Sequence, residues 1–182
     1  MLSASRNGLF RDTHVVPPFF GFLAGWFSQN WKSADGVVEK LTALPAEDQE
    51  VLVLGLWYSG SPESKTVLAK YTPQMPTQGK LISELISSAQ PMITEIPLEK
   101  GPWVLDALWG NFMSTGREQP VIRIISALAW AKIEGDLPRL VVGGSARWSL
   151  ISNAAQHPRV LEICRSQIKI QPANVSGKKR GS

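Results

Sequence analysis

The stretch GSPESKT, Gly60 to Thr66, follows the apolar run VLVLGLW. An apolar strand leading into a glycine loop that ends in Lys-Thr is how a phosphate-binding loop is built. Such a loop needs one glycine six residues before its lysine and another immediately before it, so that backbone N–H groups curl around phosphate oxygens. Ser59 and Ser64 hold those two places, and no nucleotide is expected. A helix start accounts for the same residues, with Ser61 as cap, Pro62 in the first turn and Glu63 against the positive end of the dipole.

Other residues have the types that catalysis uses. Asn153, His157 and Cys164 are separated by four and seven residues, which is one face of a continuous helix and the raw material for a thiol nucleophile beside a base. Pro158 interrupts that helix directly after His157. The pattern therefore predicts a capping His157 and a Cys164 packed as a small hydrophobe. Asp106 lies among apolar neighbours and is expected on the solvent side of its helix. His14 and His157 are the only histidines, no Cys/His pair has zinc spacing, and neither a metal nor another cofactor is expected. GGSA, Gly143 to Ala146, lacks the third glycine and the preceding strand of a dinucleotide site and reads as a place of close helix–helix approach.

Binding is the other chemistry on offer. Of seven tryptophans, most recur at core-facing helix positions. Trp31 and Trp103 lie near helix ends beside polar residues or proline, which makes them the candidate partner-binding aromatics. Lys178, Lys179 and Arg180 carry most of the formal charge of +4, and without them it is +1. Nucleic-acid binders place positive charge on a folded face, so contact with nucleic acid or a membrane surface is expected only weakly, through this tail. A single cysteine precludes an intrachain disulfide and suits a cytoplasmic protein. FFGFLAGWF, Phe19 to Phe27, is too short to span a bilayer and has no cleavage site after it; it is expected to be a core helix.

These residues must be positioned by helices. Apolar residues make up 43% of the chain and charged ones 19%, enough for a sizeable core. Residues 1–16 read as a flexible, irregular arm. A first helical half spans 17–71, with starts at Pro17–Pro18 and Pro62, acids ahead of VLVLGLW, and Val37, Leu41 and Leu44 on one face. Residues 72–101, rich in proline, read as a linker around one short helix, LISELISSA. A second half spans 102–170. In it Leu105, Leu108, Trp109 and Phe112 share a face, Gly116 stops that helix, Ile122, Ile125 and Ala129 share the next, and Asp136 caps a third. Residues 171–182 read as a disordered basic tail.

The halves echo each other. VVEKLTAL matches VIRIISAL at one constant offset, Phe27 pairs with Phe112 one residue out of that register, and Trp57 pairs with Trp148. The expected fold is all-α, two pseudo-repeated four-helix halves built of helical hairpins. In form alone this resembles tetratricopeptide and HEAT arrays; the tetratricopeptide pattern of tryptophan, leucine-glycine and tyrosine is missing. Stacked helices offer a groove, and the expected function is a non-catalytic interaction module, an adaptor, chaperone-like or toxin-neutralising partner that holds a protein or peptide between the halves. An enzyme with a scattered site at Asp106, His157 and Cys164 is the alternative, and a binder acting through the tail is the third reading.

Overall fold

The computed structural model describes residues 5–170. The fold is all-α. Among the described residues there are nine helices of eight residues or more and no strand: α1 Val16–Gln29, α2 Ala34–Leu41, α3 Gln49–Trp57, α4 Ser64–Tyr71, α5 Gly79–Ser87, α6 Trp103–Thr115, α7 Gln119–Ser126, α8 Leu137–Gln156 and α9 Pro158–Ile170. Four lie in 17–71 or at its edge and four in 102–170, in the order expected. The first two of each set agree in length to within one residue, whereas α8 and α9 are longer than α3 and α4. The basic tail, with Lys178, Lys179 and Arg180, falls outside the described residues.

Helix α1 sits at the centre, between α6 and α3. That position explains its continuous apolar run, because a helix covered on more than one side needs no polar stripe. Pro17 is placed in the first turn, where a missing N–H costs nothing. Helices α1 and α6 run in the same direction and touch backbone to backbone. A Cβ at Gly21 would lie 2.0 Å from the carbonyl oxygen of Ala107, and one at Gly110 would lie 1.9 Å from that of Pro18. Each glycine makes room for the other helix's main chain. On the far side a Cβ at Gly55 of α3 would lie 2.6 Å from the Leu23 Cβ. The first and second halves thus meet through α1 and α6 in one continuous core that includes Phe20, Leu23, Phe27, Leu52, Leu56, Trp57, Leu105 and Leu108.

Local signals place the helix ends. Gly116 takes the left-handed conformation, φ 65°, that ends α6. The Asp136 carboxylate accepts from the Arg139 backbone N–H at 3.1 Å and caps α8. VLVLGLW is helical, and α4 begins at Ser64, later than the expected start at Ser61. Lys65 reaches the other end of the neighbouring helix: its ammonium donates to the carbonyls of Ile86, 2.9 Å, and Ser88, 2.8 Å, at the C-terminus of α5, where the dipole favours a cation.

Three expectations need amendment. The irregular stretch ahead of α1 is anchored rather than loose from residue 5 onward: Phe10 is buried with its ring edge-on to Phe19 at 4.9 Å, and the Ser5 hydroxyl donates to the buried Asp48 carboxylate. Residues 72–101 do more than span a gap, since Met75, Ile82, Ile93, Ile96 and Leu98 all enter the core. Buried faces differ from the expected ones at α2 and α7, although Leu41 and Leu44 are buried as expected. Val38 rather than Val37 is fully buried in α2, and Val121, Ile124 and Ala127 are buried where Ile122 and Ile125 are only half so and Ala129 is exposed.

Candidate binding groove

Glycines at the α1–α6 contact turn the large side chains of both helices aside. Where they part, Val15, Pro18, Phe19 and Phe22 on the α1 side and Trp109, Gly110 and Met113 on α6 line a cleft of about 510 Å³. Its walls are almost wholly apolar, and His14 stands at one end. Phe22 is 44% exposed and Met113 46%. An open cleft of this size with aromatic and thioether walls has the lining of a site for an apolar side chain or helix face.

His14 also borders a second, more polar cleft of about 460 Å³, formed with Pro102, Leu105 and Asp106 of the α6 region and Gly144, Ser145, Trp148 and Ser149 of α8. Asp106 is half-buried there, not on the open solvent face that its position in the sequence predicts. Burial pushes its carboxyl above the usual range, and the nearby His14 partly opposes that.

The other candidate residues lie elsewhere. Trp31, in a short 3-10 turn between α1 and α2, is half-buried with its ring 6.4 Å from that of Phe27. Trp103, the first residue of α6, is half-buried, leans on Phe20 at 6.2 Å and donates its indole N–H to the Lys100 carbonyl at 2.9 Å. Neither lines the two clefts. His157 is the residue between α8 and α9, and Cys164 is half-buried against the core. Burial raises the Cys164 thiol above its usual range, the opposite of what activates a nucleophile. Among the described residues no hydrogen bond joins any two of Asp106, His157 and Cys164, and no three His, Cys, Asp or Glu residues converge as metal ligands. Gly143 brings α8 against the Trp130–Ala131 backbone, where a Cβ would lie 2.3 Å from the Ala131 nitrogen, while Gly144 faces open space.

Sequence reasoning passes over Phe22, Met113 and Trp148. Trp148, expected in the core, is 73% exposed. Phe22 lies inside an unbroken apolar run, where no period marks the outward side; the signal that does mark it is Gly21 and Gly25, which define the face turned to α6. No protein-family model, curated protein or solved structure matches this chain. Among the described residues no helix is long and apolar enough to cross a membrane.

Proposed function

We propose that the chain is a non-catalytic interaction module that holds an apolar segment of a protein or peptide in the cleft between α1 and α6. The observation that carries this reading is the pairing of an almost purely apolar lining with two exposed large side chains, Phe22 and Met113, at the junction of the two halves. An amphipathic helix inserting one or two large residues suits such walls, and methionine lets the wall adapt to more than one of them. The cysteine, the histidines and Asp106 enter this reading only as packing and as a polar rim. Panning a random peptide library against the wild type and against a Phe22→Glu/Met113→Glu variant tests it. Peptides with apolar residues at helical spacing are expected on the wild type, with binding weakened at least about thirtyfold on the variant, whose helical circular dichroism is unchanged. Enrichment equal on both proteins, or none on either, refutes it.

A further inference from the structure

Helix α8 is apolar on two opposite sides. One side, with Val142, Gly143, Ala146, Ser149 and Leu150, is buried in the fold. The other presents Leu137, Val141, Gly144, Trp148, Ile151 and Ala155, and every one of these is exposed. Leu137 is 69% exposed, Trp148 73% and Ile151 63%. Their spacing alternates four and three residues, which places all six within about 80° of arc on a helix of 3.6 residues per turn. That is the seam of a coiled coil, drawn on the outside of a single chain. Residues 171–182 do not match it in composition, with one bulky apolar side chain, Val175, among polar and basic residues.

The seam is complementary to itself. Laid against a second copy running the other way, Leu137 meets Ala155, Val141 meets Ile151 and Gly144 meets Trp148, each pair in both senses, as a two-fold axis requires. Large faces small at both ends and at the centre. Gly144 has open space where a Cβ would stand, and it borders the cleft formed with Leu105, Asp106, Ser145 and the same copy's Trp148, which leaves room beside that indole for a second one. We propose that two copies of this chain pair antiparallel along this seam, with each Trp148 seated over Gly144 of the other copy. The seam side chains would bury roughly 500 Å² per copy, about 1,000 Å² in total, which is at the lower bound of a specific interface. The dimer is therefore a reversible one, and the two Arg147 side chains, facing each other beside the axis, weaken it further at low salt.

Sedimentation of the full chain between about 1 and 200 µM, a range suited to a small interface, reads the mass directly. The wild type moves from 20.0 kDa toward twice that value as concentration rises. Trp148→Glu raises the dissociation constant at least about thirtyfold. Gly144→Leu does the same while its thermal melting holds or rises, because the monomer has room for the side chain and leucine is the better helix former. The exchange Gly144→Trp/Trp148→Ala restores the large-on-small match and with it the dimer. A wild type that stays monomeric overturns the proposal, as does a dimer indifferent to both single substitutions or an exchange that restores nothing. The Phe22→Glu/Met113→Glu variant dimerises like the wild type, so this seam and the α1–α6 cleft are tested separately.

Discussion

At the scale of single residues, Asp106 shows how position sets chemistry without making a catalyst. Half-buried between α6 and α8, it ionises less readily than a free aspartate, whose value lies near 3.8. The folded state therefore binds its proton more tightly than the unfolded state. Stability from this group is fullest below the unfolded value and falls as pH rises through the raised folded one. Asp106→Asn removes that loss, so its melting temperature should exceed the wild type's at pH 7 and match it near pH 3. Melting curves at the two pH values check this, and an unchanged or lower value at pH 7 means that the carboxylate has partners which offset its burial. Lys65 teaches the complementary lesson. Its neighbours in sequence suggest a phosphate, and its neighbours in space are two helix-end carbonyls and the ring of Trp57, 5.6 Å away.

At the scale of elements, the α1–α6 contact is set by main chain meeting main chain. Gly110→Ala places a methyl carbon against the Pro18 carbonyl, and neither side is a flexible tip that can move aside. The expected cost is about 3 kcal/mol, or failure to fold, at the severe end of overpacking; chemical denaturation measures it, and a cost under about 1 kcal/mol shows that the helices can separate without loss. Gly144→Leu, at the residue next to the close-packed Gly143 but facing open space, is the matched control. Helix order and several ends were legible from sequence because they are local: Asp136, Gly116 and the prolines act within one turn. The face of α2 and of α7 was not fixed by period, since Val37 and Val38, and Ile124 and Ile125, are adjacent apolar pairs and either member satisfies the pattern. The site was less legible still. Phe20 and Phe22 are the same residue type two positions apart in one run, and only tertiary packing, Tyr58 and Trp103 against Phe20, decides that the first is buried and the second exposed.

At the scale of the whole molecule, the two halves interlock instead of stacking as separable repeats. Phe20, Leu23 and Phe27 of the first half and Leu105, Leu108 and Phe112 of the second belong to one core, and the proline-rich segment adds five buried side chains to it. Residues 102–170 expressed alone should therefore lack cooperative thermal unfolding by circular dichroism, because α6 loses the partner that covers its glycine face; a sharp transition with native helix content indicates two autonomous units. The same pairing governs how the chain is born. Helix α1 has its main partner roughly 85 residues downstream, which at cellular elongation rates of about 5–20 residues per second is on the order of 4–17 s. For that interval α3 can cover only one side of the segment Phe19 to Phe27, and the side that α6 closes stays an oily strip open to water on the nascent chain.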